Sequence, residues 1–287
     1  MKPSRSLWQD AIRKIKRDKI ALLSFFFIAA YFLIAVLCAA GILFPNHAAP
    51  DVANSFLPPS SDHWLGTDLF GRDVIARASH GTVTSLMVGL IGAGLSVLIG
   101  ATLGAIAGFC GGVIDDLIVW FYSTIDTIPY ILLLSALAFL LGSGLNTMCL
   151  AIGLTSWVGL CRLMRAEFMR HRDREYVQSA VALGAGPFRQ IFLHILPNTL
   201  QIVLINFSLS FVGAVKSEVI LTYLGLGVEV GTPSWGMMIN DAKQELIRGV
   251  WWNLAAATIF MFILVLAFNL FNDALRSALD PKLKGKA

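Results

Sequence analysis

Charged side chains are scarce. Only 14% of the 287 residues are Asp, Glu, Lys or Arg, against about 25% in an average soluble domain. That deficit excludes a water-exposed globular surface, and with it a soluble enzyme or a disordered chain. Cysteine is equally thin. Cys38, Cys110, Cys149 and Cys161 each lie in or beside an apolar run, and none stands at metal-ligand spacing. This excludes a disulfide scaffold and leaves them as small apolar packers. The five histidines (His47, His63, His80, His171, His194) form no H-E-x-x-H pattern. A phosphate-binding loop is also missing, because Lys216-Ser217 is preceded by Ser210 and Val215 where that motif requires glycines. What is plentiful is apolar: 56% of residues are hydrophobic, with 19 Phe and 25 Gly. The balance describes an all-α polytopic membrane protein.

A spanning helix takes about 20 mostly apolar residues. Six stretches qualify: Ile20–Phe44, a core from about Thr82 to Phe109, Leu117–Leu141 with Asp126 inside it, Leu145–Cys161, Gln190–Val215 and Gly249–Asn272. They are too long for strands, so helices are expected. Lysine and arginine set the orientation. Seven precede the first span (Lys2, Arg5, Arg13, Lys14, Lys16, Arg17, Lys19). Six lie between spans four and five (Arg162, Arg165, Arg170, Arg172, Arg174, Arg189), and four follow span six (Arg276, Lys282, Lys284, Lys286). With six spans all 17 fall on one side, which leaves Arg72, Arg77, Lys243 and Arg248 on the other and Lys216 within an apolar stretch. Basic loops stay cytoplasmic, so both termini are expected inside. The net charge of +4 is a topology signal and gives no reason to expect nucleic acid. The first span is longer than a signal-peptide core of about 7–15 residues and reads as a retained anchor.

Three regions follow. Residues 1–81 hold a cytoplasmic segment, the first span and a turn-rich outer loop. Residues 82–273 form the transmembrane body, and 274–287 form a cytoplasmic tail. The second outer loop, about Glu229–Arg248, contains Pro233-Ser234-Trp235-Gly236 as a turn and Asn240–Ile247 as a short surface helix.

Within the spans, Ser96, Gly100, Gly104, Gly108 and Gly112 recur at i+4. On a helix they make one face nearly free of side chains, which admits another backbone. Pro129 lies three residues after Asp126 and should bend the third span. Asp126 is expected near the inner boundary, hydrated or tied to a neighbouring helix; an acid facing a pathway is the alternative. Lys216 and Glu218 are two residues apart and point to nearly opposite sides of a helix, so each needs its own partner or water. Lys216 is expected near the outer boundary, where a lysine can snorkel; a pathway role for the two is the alternative.

The segment 174–198 between spans four and five is the most informative. Tyr176–Leu183 is Ala-rich and should be helical. Gly184, Gly186 and Pro187 end that helix, and a second one starts at about Phe188. The product is a short helix with an apolar surface of Tyr176, Val177, Ala180 and Val181, flanked by arginines and followed by a tight bend. Such a knob suits insertion into a partner's groove.

This stretch resembles the EAA loop of binding-protein-dependent ATP-binding-cassette (ABC) importer permeases, roughly E-A-A-x-x-x-G, nine residues, then I-x-L-P. Here the matching residues are Gln178-Ser179-Ala180, Gly184 and His194-Ile195-Leu196-Pro197. Spacing is intact, while Gln replaces Glu, Ser the first Ala and His the Ile. Further motifs are similar to the dipeptide/oligopeptide branch. They are His63-Trp64-Leu65-Gly66-Thr67-Asp68 with Gly71-Arg72-Asp73-Val74, Tyr223-Leu224-Gly225-Leu226-Gly227, Pro233-Ser234-Trp235-Gly236, Asn269 to Arg276, and Leu279-Asp280-Pro281. The resemblance spans about Arg13 to Leu283.

It implies a type I importer (MetI-like) transmembrane domain and a C-type permease in a bacterial inner membrane. The implied partners are a B-type permease, two ATPase subunits that bind the ATP and Mg, an extracytoplasmic solute-binding protein, and lipid. It also implies that Tyr176, Val177, Gln178, Ser179, Ala180, Leu183, Gly184 and Ala185 form the ATPase-coupling element. No catalytic residue, metal or cofactor is expected on this chain. The expected cargo is di- or oligopeptide, with nickel, glutathione or another small solute as alternatives. Trp64 and Trp235 leave two readings open, contact with the binding protein or packing over helix ends. A secondary transporter would show repeated halves and several embedded acids; a membrane protease would need a partner for Ser143; a channel would need a filter loop.

Overall fold

A computed structural model describes residues 12–229 and 231–279. Lys2, Arg5, Asp280-Pro281, Lys282, Lys284 and Lys286, and with them most of the 274–287 tail, lie outside the described residues. Among the described residues the chain is helical, with one isolated bridge between Thr67 and Asp73 and no strand.

Helix α1 (Lys19–Ala39) starts where the Asp18 carboxylate accepts the backbone N–H groups of Ile20 and Ala21, satisfying donors that a helix start leaves unpaired. Asp73 does the same for α2 (Val74–Cys110) through Ile75 and Ala76. At 37 residues, α2 is about 55 Å long and forms the central pillar. The chain continues through α3 (Gly112–Asp126), α4 (Tyr130–Leu141), α5 (Leu145–Thr155), α6 (Val158–Arg172), α7 (Glu175–Ala182), α8 (Pro187–Tyr223), α9 (Trp235–Ile247) and α10 (Trp252–Leu279). Helices α1, α5, α6, α8, α9 and α10 all pack on α2. Tyr31 ties α1 to α10 by donating its hydroxyl to the Phe260 carbonyl at 2.8 Å.

Helices α1, α2, α8 and α10 are long and apolar enough to cross a membrane, and two bent pairs raise the number of candidate spans to as many as six. The bend in span three falls at Pro129, where the sequence predicts one, and the bend in span four corrects the expectation of a plain span there. Helices α3 and α4 meet at 90°. Pro129 does not kink a continuous helix; it stands at the start of α4 with an extended ψ of 125°, because proline has no N–H and disfavours helical backbone before it. Helices α5 and α6 meet at 41°. There the Trp157 indole N–H donates to the Leu154 carbonyl at 2.9 Å and satisfies an acceptor freed by the break. Helix α6 runs on to Arg172, so Arg162, Arg165, Arg170 and Arg172, expected in a loop, stand on a helix.

The small-residue face of α2 meets α6. A Cβ at Gly100 would lie 2.6 Å from the Trp157 carbonyl oxygen, and one at Gly104 or Gly108 would collide with the carbonyl of Cys161 or Arg165. Ser96 is buried on the same face. Gly112 is the exception: it lies beyond the end of α2, with φ +55° and open space around it, because the glycine at 111 leaves the helical path. The true fifth member is Gly92, packed on Ile152. Much of the remaining surface is large and apolar, including Phe26, Val36, Leu98, Trp120, Phe139, Leu140 and Phe262. An apolar exterior of that extent requires lipid or another subunit.

The loop between α1 and α2 is held by buried polar groups. Asp68 accepts the N–H groups of Phe70 and Arg72 and pairs with Arg72 (2.8 Å) and Arg77 (2.7 Å). Arg77 reaches across to Asp241 on α9 at 3.1 Å. Helix α9 starts at Trp235, five residues earlier than the expected Asn240, because the Ser234 hydroxyl accepts the Met237 N–H at 3.0 Å. The expected turn at Pro233–Gly236 is therefore a helix start. Trp235 is fully buried and donates its indole N–H to the Ala78 carbonyl at 2.9 Å, so of its two readings packing holds. Trp64 remains 73% exposed.

Candidate functional site

Helix α7 follows Asp173 and Arg174 directly and places two faces in different environments. Val177 and Ala180 are buried, with Val177 in a cluster of Met164 and Phe168 from α6 and Ile195 from α8. This corrects the expected surface: Val177 and Ala180 anchor the helix to the body and do not project from it. The exposed apolar strip is Tyr176, Val181, Leu183 (88% exposed) and Phe188 (75%). Gln178 and Ser179 also face outward. Gln178 reaches back, its amide donating to the Arg172 carbonyl at 3.0 Å. The Tyr176 hydroxyl lies 2.7 Å from Nδ1 of His171, and burial raises the phenol pKa above its ordinary value.

The bend has a defined cap. Gly184 adopts φ +83°, a left-handed conformation that glycine takes without the steric cost of a Cβ. Its N–H donates to the Val181 carbonyl and that of Ala185 to the Ala180 carbonyl, both at 2.9 Å. This is a Schellman motif, and Ala180 and Ala185 are the two buried positions that accompany it. Gln190 then donates its side-chain amide to the Ala185 carbonyl at 2.7 Å. Pro187 occupies the first turn of α8, where its missing N–H costs nothing. The first part of α8 is wound as a π-helix, Gln190–Ile195, immediately before Pro197. A wider turn relieves the clash of the proline ring with the preceding carbonyl. The short helix, its bend and the long helix therefore form one continuous hydrogen-bonded piece.

The polar residues within the spans are dispersed. Asp126 pairs with Arg162 on α6 at 2.7 Å, both about half exposed, so the tie to a neighbouring helix holds. Arg165 grips Asp115 at 2.5 and 2.6 Å, fastening α3 to α6 by a fork. Lys216 is exposed while Glu218 is fully buried, on different sides of α8 as their spacing requires. Thr222 donates to Glu218 Oε1 at 3.1 Å, and Glu218 Oε2 has no hydrogen-bond partner among the described residues. No hydrogen bond or ion pair among the described residues links Asp126, Lys216 and Glu218 to one another. A junction missed in the sequence joins both bends: the Tyr130 hydroxyl lies 3.1 Å from Ser156 Oγ and 2.9 Å from Ser217 Oγ. Three isolated hydroxyl residues carry no spacing that could have announced it. Among the described residues no cluster of metal-binding side chains occurs.

A helical body with several helices long and apolar enough to cross a membrane, and a largely apolar exterior, defines a multi-pass membrane protein. Comparison with known proteins gives the family. The model of the binding-protein-dependent transport system inner membrane component family matches residues 100–285, and that of the N-terminal transmembrane domain of oligopeptide transport permease C matches residues 6–59. The chain belongs to the binding-protein-dependent transport system inner membrane component family. It is 37% identical to the dipeptide transport system permease protein DppC of Bacillus subtilis, covering 99% of this chain and 88% of that one. It is 34% identical to the oligopeptide transport system permease protein OppC of the same organism, over 99% and 92%. It is also 34% identical to the glutathione transport system permease protein GsiD of Pectobacterium atrosepticum, over 99% and 94%.

Proposed function

We propose that this chain is the membrane-spanning permease subunit of an ATP-driven importer. It forms half of a translocation pathway for di- or oligopeptides or similar small solutes. Each bent helix pair counts as one span, which makes six, and the lysine and arginine distribution puts both termini and α7 in the cytoplasm of a bacterial inner membrane. Two ATPase subunits hold the ATP and Mg, a B-type permease supplies the other half of the pathway, and an extracytoplasmic binding protein delivers the solute.

The observation that carries this reading is the exposed apolar group Tyr176, Val181, Leu183 and Phe188, on and just beyond a helix that Val177 and Ala180 anchor to the body. Apolar side chains held out on a rigid, capped element suit a groove on a partner. ATP-driven closure of the ATPases moves α7 as a lever, and the Gly184 bend passes the motion into α8. ATP binding and hydrolysis thereby bias a two-state element between inward- and outward-facing forms.

The test is uptake of dipeptide into proteoliposomes holding the full importer, with ATPase copurification measured beside it. Leu183→Asp should abolish both. Uptake at the wild-type rate without any copurifying ATPase would end the reading. The glutathione permease among the relatives supports a second cargo, and the solute captured by the purified binding protein decides between them.

A further inference from the structure

We infer that the cavity between the first outer loop and α9 is the seat for an acidic side chain of the solute-binding protein, and that Lys243 receives it. The inference rests on the importer reading and adds to it a residue, a charge and a direction of signalling.

The cavity has a volume of about 510 Å³, within the range of ligand pockets, roughly 300–1,000 Å³. Phe70 and Arg72 of the loop form one wall, Met237, Asp241 and Lys243 of α9 the other, and Arg77 of α2 contributes to the lining. Two of its three cations are already neutralised. Arg72 pairs with Asp68, and Arg77 with Asp68 and Asp241. Lys243 is not. Its ammonium donates to the Asn240 side-chain oxygen at 2.9 Å and the Tyr223 carbonyl at 3.3 Å, and sits 3.5 Å from the centre of the Tyr223 ring. No carboxylate among the described residues forms an ion pair with it. The wall opposite is rigid: Glu245 accepts the Leu69 N–H and the Asn253 amide, and the Trp252 indole donates to the Thr67 carbonyl. A pre-formed recess with one uncompensated, exposed cation favours an inserted carboxylate, because little ordering remains to be done on binding.

The occupant is a protein side chain on grounds of what Lys243 touches. Tyr223 is the last residue of α8, and a cation on its carbonyl stabilises that helix end. A carboxylate that draws the ammonium towards the cavity removes this cap. The other end of α8 starts at the Gly184 bend, about 55 Å away by helical rise. Docking outside and coupling inside thus act on the two ends of one helix, which is what a delivering protein needs and a passing solute does not.

The experiment uses the complete importer in nanodiscs with the solute-binding protein of the same system. Binding is measured for wild type, Lys243→Gln and Lys243→Glu over a series of salt concentrations. Affinity should fall about tenfold in Lys243→Gln and further in Lys243→Glu, and the salt dependence should become shallower. In a scan of Asp→Asn and Glu→Gln changes on the binding protein, one position should be non-additive with Lys243→Gln. Affinity within twofold of wild type with an unchanged salt slope overturns the proposal. So does dipeptide binding to the importer without binding protein that is lost in Lys243→Gln, because the occupant is then the solute. Failure of the importer reading itself looks different: no ATPase accompanies the wild-type permease.

Discussion

Asp68 and Arg77 meet at 2.7 Å with both side chains almost wholly buried, and the same arginine continues to Asp241 on α9. The pair pins the loop after α1 to the start of α2 and to the helix that follows α8. Removing one partner of a buried pair strands the other charge, at a cost of about 3–5 kcal/mol. Asp68→Asn leaves Arg72 without its carboxylate and Arg77 with Asp241 alone. It should lower the thermal unfolding midpoint of the purified permease strongly, whereas Asp62→Asn on the exposed loop should leave it unchanged.

The crossing of α2 and α6 predicts opposite effects for chemically identical changes. Gly94 lies in α2 with open space around it, so Gly94→Ala should be neutral or stabilising by up to about 1 kcal/mol through helix propensity. Gly104→Ala drives a methyl into the Cys161 carbonyl and should destabilise, by about 1–3 kcal/mol for overpacking. Gly112→Ala should cost only about 1–2 kcal/mol, the price of a left-handed non-glycine residue. Unfolding midpoints of the three variants, measured in one detergent, provide the comparison.

Leu183 and Val177 separate stability from docking. Leu183 is 88% exposed and Val177 fully buried. Leu183→Ala should leave permease stability within about 0.5 kcal/mol, yet weaken ATPase association by about tenfold or more if it fills a partner pocket. Val177→Ala should lower stability by about 1–3 kcal/mol, through lost burial and a cavity. Calorimetry of the permease alone and pull-down of the ATPases give the two readouts.

Glu245 predicts a pH effect with a definite sign. Burial raises its pKa above the ordinary glutamate value, opposed by the hydrogen bonds from Asn253 and Leu69, with Asp68 and Asp241 adding to the rise. The folded state therefore holds this proton more tightly than the unfolded state. Stability is greatest below the unfolded pKa, is lost as pH rises from there through the folded pKa, and is level above it. Glu245→Gln should remove that slope, with the Asn253 oxygen, which has no hydrogen-bond partner among the described residues, free to accept from the new amide. Unfolding midpoints from about pH 4 upward, compared with wild type, should differ in slope across that window.

Composition and periodicity were sufficient for the helical membrane body, the two long helices α2 and α8, and the short helix and bend at 174–198. Each of these depends on local chemistry: apolar runs longer than a bilayer, glycine where the backbone turns left-handed, proline in a first helical turn. The i+4 glycines announced a close approach for the same reason, since the absence of side chains is a property of the residues themselves. What lay opposite them was decided by tertiary packing, as was the exclusion of Gly112, which depends on where α2 stops. Tertiary structure also turned Val177 inward and Leu183 outward, because which side of an apolar helix faces the body depends on the neighbours it meets. It drew Trp235 into the interior and set Tyr130 between Ser156 and Ser217. Those partners lie far apart along the chain, and no spacing in the sequence encodes a contact that only two bent helices bring together.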